Sequence, residues 1–515
     1  MARGDTRLPI NHRYLYFTAA VTGAAIMIVE ILGARMLAPF FGTSHFVWTA
    51  QIAITLVALA SGYYIGGRMA DASPRPERMY AGILFAALYL CFAVLVVRPV
   101  SYWALQFSLA VGSLLTSLFL FFVPLALLAM VGPFFVRVLT EAISGVGRNV
   151  GRLTAIGTLG SFAGTVLIGY WLIPAFPNSM SMYATAVVLM LVSGGYFFIW
   201  SRRRLAPAAA AIIMSAALGA YAVHETTRPQ FENVTELARK NSPFGLLQVL
   251  QDKHTSRRYY LNDYLTQNTY DTQAKQSISM FTYMLHLLAK AYTPDLTNVL
   301  CIGLGVGIVP MEFAREGISV DVVEINPAVV QLATKYFDLD PARLRITFGD
   351  GRYFVNRTRK QYDAIILDAF LGDSSPSHLM TREAFSEMRR ALKPTGTLVI
   401  NSFGDFGAGR DFLTASIYKT LAVVFTSVRI HAEGLHGNTL FVASPNADLK
   451  ILREPDLSGV HSSAARQVAA AFESLREVTA SSGRVLTDDY NPVEFYDAAN
   501  REELRKNLAL GVRDL

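Results

Sequence analysis

No lysine occurs among the first 224 of the 515 residues, although the whole chain holds 46 lysines and arginines. That stretch carries 14 arginines against five acidic residues, and the remainder holds 32 basic against 34 acidic side chains. The basic balance therefore belongs to the first part, where arginines flank apolar segments. The second part has no excess of positive charge with which to bind nucleic acid. Cysteine is equally scarce. Cys91 lies in an apolar run and Cys301 in a predicted strand, which excludes a disulfide framework and a cysteine-based zinc site. His378, His431, His436 and His461 have no metal-ligand spacing, so no metal is expected.

What the first part has in abundance is apolar length. Stretches long enough to cross a bilayer fall at 14–36, 46–67, 79–97, 114–136, 153–174, 179–200 and 205–223, which predicts about seven spans and a multi-pass protein of a bacterial inner membrane. The first stretch is too long for a signal peptide and has no clear cleavage site. Residues 99–113 form a further uncharged segment, either lengthening the fourth span or re-entering the membrane. Arg3, Arg7 and Arg13, then Arg68, Arg75 and Arg78, then Arg137, Arg148 and Arg152, then Arg202, Arg203 and Arg204 form clusters that the positive-inside rule puts in the cytoplasm. Glu30 and Arg35 sit at or near membrane depth, where a carboxylate marks either a functional site or a structural ion pair. Glycines such as Gly157, Gly160 and Gly164 have the spacing that lets helix backbones approach closely in lipid.

Beyond residue 225 the pattern changes. We divide the chain into a transmembrane helical domain (1–225), a small β segment (226–275), a Rossmann-like α/β domain (276–446) and a C-terminal helical extension (447–515). Residues 246–252 and 257–263 alternate like paired antiparallel strands. A βα series follows, with strands at 298–303, 320–325, 344–350, 362–370 and 397–403, helices between them, and final strands at 426–431 and 438–443. Such alternation implies a mostly parallel sheet that binds ligands at the carboxyl ends of its strands. Four features gather there. Gly303, Gly305 and Gly307 follow the first strand and permit close backbone approach to a ligand. Glu324 ends the second strand, where a carboxylate can accept both ribose hydroxyls. Asp350, with Gly351, ends the third and is placed for an adenine amino group. Asp368 ends the fourth. Any one of these is as readily a cap or a turn residue; four in order, each at a strand end, favour a nucleoside site.

VLCIGLGVGIVPMEF, VDVVEINPAVVQLA, FGDGRYFV and YDAIILDAFLGDSSP, in this order, resemble the spermidine synthase (polyamine aminopropyltransferase) family. The first part and the tail LTDDYNPVE (486–494) resemble the membrane-fused members of that family. The resemblance implies decarboxylated S-adenosylmethionine as cosubstrate and a polyamine such as putrescine, or another amine, as acceptor. It further implies Asp368 as general base, Glu324 on the ribose, Asp350 on the adenine, Gln267 and Tyr283 on the substrate side, and Asp373 in a loop closing over the polyamine. A homodimer is implied by the same analogy. Three departures from the family pattern stand out: Val306 replaces an aspartate of the glycine loop, SISMFTY (277–283) lacks an acidic pair, and the DSSDP motif is opened into DAFLGDSSP.

These departures keep two alternatives open: a methyltransferase using intact S-adenosylmethionine, and a transporter or receptor whose soluble part binds a nucleoside or polyamine without chemistry. Seven spans starting inside would also put the soluble part outside, away from the cytoplasmic supply of adenosyl-sulfonium compounds. Asp488 and Asp489 in the tail suit either a cation or a turn before Pro492.

Overall fold

The structure, a computed structural model, describes residues 11–42, 45–140, 145–201, 205–227, 233–369, 376–478 and 483–513. The chain forms two compact units, Met1–Gln230 and Phe231–Leu515.

The first unit is built of long, apolar segments nearly free of charge, the composition with which a helix satisfying its own backbone groups can cross a membrane. Helix α1 (His12–Phe41) opens at Asn11, whose side chain accepts from the Arg13 N–H at 2.9 Å. There follow α2 (His45–Ala72), α3 (Pro76–Ala104), α4 (Leu109–Ala129), α5 (Val131–Leu139) and α6 (Val146–Leu167). A π-helical turn at Ile168–Leu172 leads into α7 (Ile173–Ala175), and α8 (Asn178–Trp200) and α9 (Leu205–Thr227) complete the unit. Residues 99–113 are divided between two helices: α3 runs on to Ala104, and after a short turn residues 109–113 begin α4 and so lengthen the fourth span.

Among the described residues, six helical stretches are long and apolar enough to cross a membrane, the fourth being Leu109–Leu139 and the fifth Val146–Ala175. The apolar stretch of α9 is shorter, Ala208–Tyr221. Helices α1 and α6 lie backbone to backbone. A Cβ on Gly160 would collide with the Ala20 carbonyl, and one on Gly164 would stand 2.6 Å from the Ala24 oxygen. The Ser161 hydroxyl donates to the Gly23 carbonyl (3.1 Å) across the same contact. Thr18 and Tyr80 share a hydrogen bond of 2.9 Å between α1 and α3. Glu30 and Arg35 are both partly buried on α1.

The second unit begins with an antiparallel five-stranded sheet in sequential order: β1 (Val234–Ser242), β2 (Gly245–Asp252), β3 (Arg257–Asn262), β4 (Leu265–Asp271) and β5 (Gln276–Ser277). Helix α10 (Met280–Tyr292) then leads into the βα series. Its elements are β6 (Asn298–Ile302), α11 (Ile308–Arg315), β7 (Ser319–Glu324), α12 (Pro327–Tyr336), β8 (Arg345–Phe348), α13 (Gly351–Arg357), β9 (Tyr362–Leu367), α14 (Arg382–Ala391), β10 (Leu392–Asp405), α15 (Phe412–Val424), β11 (Ser427–Ala432) and β12 (His436–Ser444). The extension adds α16 (Ser462–Glu473), α17 (Val493–Tyr496) and α18 (Ala498–Arg513).

The large sheet has the order β11-β12-β10-β9-β6-β7-β8, and β12 alone runs against its neighbours. Helices cover both faces: α10, α11, α12 and α16 close one core, and α13, α14 and α15 the other. Burial on two sides explains why β9 is apolar apart from Asp363, which pairs with Lys393; all six of its residues are buried. The strand order reverses between β6 and β9, the switch point at which such sheets open a crevice for ligands. Ile302 pairs with Leu367 there, so Gly303 and Asp368 leave the sheet side by side.

Candidate active site

A cavity of about 620 Å³ opens at this switch point, a volume in the ordinary range for a small-molecule site. Its floor is the glycine loop. Gly303 takes φ +95°, and a Cβ there would run into the Asp368 carbonyl oxygen, so only glycine lets the two strand ends sit this close. Gly305 faces open space, whereas Gly307 starts α11 in a left-handed conformation against Leu339.

Glu324 ties the loop down. Its Oε2 accepts from the Leu304 N–H (2.9 Å) and its Oε1 from the Asn326 N–H (2.8 Å), while the carboxylate also lines the cavity. Burial raises its pKa above the usual carboxylate value, and the backbone donors at Asn326, Leu304 and Ile325 counter that only in part. The retained acceptor capacity of a bridging carboxylate suits a pair of hydroxyls. Asp350 has two jobs. Its Oδ1 caps α13 by accepting from the Tyr353 N–H (3.0 Å), and its Oδ2 lies 2.9 Å from His378 Nε2. Gly351 is packed against Ile302, where a side chain has no room.

Asp368 stands beside the glycine loop, partly exposed to the cavity. Burial pushes its carboxyl up to about 6, and the one side-chain donor among the described residues, Asn401 Nδ2 at 2.9 Å from Oδ1, pulls the other way. Asn401 in turn accepts from Asn438 Nδ2 at 3.0 Å. Neither asparagine is flagged by any motif; the only sign in the sequence is an amide inside an otherwise apolar strand. Further along the wall stand Phe403, Glu433 and His436, whose Nδ1 lies 2.8 Å from the buried Asp405 carboxylate. The sequence reading missed these too.

Of the substrate-side residues, Gln267 lines the cavity and Tyr283 does not. The Tyr283 hydroxyl donates to the Ser277 carbonyl (2.6 Å) and accepts from the His461 N–H (3.2 Å), which fastens β5 to the extension. The start of α10 puts Met280, Phe281 and Thr282 on the cavity and Tyr283 beyond its edge. Asp373 lies outside the described residues. Val306 is buried and apolar on the cavity wall.

The tail proves to be a clamp. Asp488 accepts from Arg352 (2.8 Å) and from the Thr381 hydroxyl (2.6 Å), and Asn491 Nδ2 donates to the Ser377 carbonyl (3.0 Å). Thr487 and Tyr490 close the turn between them. Among the described residues no group of three His, Cys, Asp or Glu side chains is arranged to hold a metal ion.

Residues 279–428 match the family described as the spermine/spermidine synthase domain. A polyamine aminopropyltransferase of Vibrio vulnificus is 40% identical over 155 residues, covering 29% of this chain and 49% of that protein. An N-terminal histidine N-methyltransferase of Emericella nidulans is 37% identical over 142 residues, covering 27% of this chain and 25% of that protein. The chain thus spans half or less of the length of these two curated relatives. Among solved structures, a probable spermidine synthase from Corynebacterium glutamicum superposes with a TM-score of 0.41 at 17% identity, covering 51% of this chain and 98% of that one. The C-terminal part of this chain carries a spermidine synthase domain of Rossmann-like α/β fold.

Proposed function

We propose that the chain is a membrane-bound aminopropyltransferase that moves an aminopropyl group from decarboxylated S-adenosylmethionine to a polyamine such as putrescine. The observation that carries this reading is the Asp368 carboxylate, held beside the glycine loop and pushed by burial up to about 6. An amine attacks the methylene next to the sulfonium only when neutral, so a base must hold its proton. In this reading Asp368 binds the incoming ammonium and takes up that proton. The nitrogen forms its bond to the methylene carbon, the carbon–sulfur bond breaks, and methylthioadenosine leaves with the electron pair. Glu324 holds the ribose hydroxyls, Asp350 the adenine amino group, and Gln267 the acceptor side.

A second reading, methyl transfer from intact S-adenosylmethionine, is favoured by Val306. Its buried apolar side chain offers nothing to an aminopropyl ammonium where the family pattern has an aspartate, and one curated relative is named a methyltransferase. Product analysis decides between them. Purified full chain, given both sulfonium compounds with putrescine and spermidine, is expected to release methylthioadenosine. S-adenosylhomocysteine instead would establish the second reading, and neither product despite nucleoside binding would sink both.

A further inference from the structure

The charge-bearing wall of the cavity includes a chain of amides that no transfer chemistry requires directly. Asn401 lies on β10 and Asn438 on the antiparallel β12, where the ladder sets Phe403 opposite Asn438 and Asn401 opposite Leu440. The two side chains therefore meet diagonally across one sheet face, within reach of each other. Asn401 is almost fully buried, at 3% exposure. Its amide can stand only one way round. Asp368 Oδ1 accepts and does not donate when ionised, so the group 2.9 Å from it must be the Asn401 NH₂. The Asn401 oxygen then points to β12 and requires a donor, which Asn438 supplies at 3.0 Å.

We infer that Asn401 and Asn438 are positioning residues: Asn438 fixes the orientation of the Asn401 amide, and Asn401 thereby fixes which Asp368 oxygen faces the cavity and how readily it holds a proton. The inference rests on the aminopropyl-transfer reading. A neutral amide is a measured choice of partner. A lysine or arginine at Asn401 would form an ion pair and lock the carboxylate in its charged form, too weak a base for the task. No partner at all would leave burial to keep it protonated. One amide N–H lies between these limits, and with Oδ1 engaged, Oδ2 remains for the substrate nitrogen.

Among the described residues, the other titratable groups near this part of the cavity are few. Burial holds the Cys301 thiol on β6 protonated. Glu324 at the end of β7 is tied to backbone N–H groups, Asp350 and His378 pair with each other, and Glu433 and His436 stand further along the β10–β12 wall.

The test reads the Asp368 charge through binding. The affinity of the full chain for cationic decarboxylated S-adenosylmethionine, divided by that for neutral methylthioadenosine, is measured from pH 5 to pH 8. In the unmodified protein this ratio is expected to fall as pH drops, with a midpoint near 6 that Asp368→Asn abolishes. Asn438→Leu frees the Asn401 amide to rotate, and Asn438→Asp draws its hydrogens away from Asp368. Both should move the midpoint to higher pH by about half a pH unit or more, with methylthioadenosine affinity retained as the check that the cavity is intact. A midpoint present in the unmodified protein and unmoved in both variants overturns the inference. No Asp368-dependent midpoint in the unmodified protein overturns instead the reading on which it rests.

Discussion

Asp368 and Asp497 are both pushed up to about 6, in each case chiefly by burial and against one asparagine donor. A carboxyl whose folded-state value is raised binds more protons in the native than in the unfolded chain, so its contribution to stability falls as pH rises from about 4 to about 6. Above that window each buried aspartate costs about 2–3 kcal/mol. Asp368→Asn should therefore raise the thermal midpoint of the solubilised full chain at pH 8 and leave it nearly unchanged at pH 4. The same change should abolish turnover while nucleoside affinity stays within a few-fold; loss of both would remove Asp368 from the role of base. Glu324→Ala should weaken methylthioadenosine binding by about 1.5–3 kcal/mol, read by equilibrium titration, and unchanged affinity would rule out the ribose contact. At this scale the acids of the site were legible in the sequence because each ends a strand, a place periodicity locates. Asn401 and Asn438 were not legible, because their meaning depends on which strands become neighbours. Tyr283 falls outside the cavity for a different reason: one residue along α10 from Thr282 is enough to leave the cavity wall.

At the scale of elements, most of the βα series was readable, since buried parallel strands are continuous apolar runs bounded by glycine, asparagine or aspartate. β1 escaped notice: VTELARKNS is an edge strand whose partly exposed charges hide the alternation. The tail was visible as a motif and opaque as a mechanism. The clamp holds Arg352 on α13, Thr381 at the start of α14 and the Ser377 carbonyl, and Ser377 and His378 line the cavity. His378 also meets Asp350, the adenine-side residue in our proposal. Asp488→Ala should leave the fold intact and weaken nucleoside binding about 5- to 20-fold, the worth of one or two hydrogen bonds. Full affinity in that variant would show the clamp to be irrelevant to the cavity.

For the molecule as a whole, the number of crossings decides on which side the second unit works. By the positive-inside rule the arginine clusters favour an N-terminus inside. Six crossings bring the chain back to that side, and a seventh through α9 carries it across. The shorter apolar stretch of α9 and the need for a cytoplasmic sulfonium compound both argue for six. A reporter fused to the C-terminus is therefore expected to register as cytoplasmic in intact cells; an external signal would leave the proposed enzyme without its donor.

The contact between α1 and α6 bears on how any of this can be measured. Two helices that meet through Gly160, Gly164 and backbone oxygens gain little from expelling water, because lipid tails are as apolar as they are. What holds them is close fit and the Ser161–Gly23 hydrogen bond, and a thin, mobile amphiphile competes for the same groove. The seam is thus the place where a short-chain detergent would wedge the unit apart, and a substitution such as Gly160→Leu would mimic that damage permanently. Extraction in bulky, slowly exchanging amphiphiles or in native lipid discs should preserve the helical unit where harsher micelles do not.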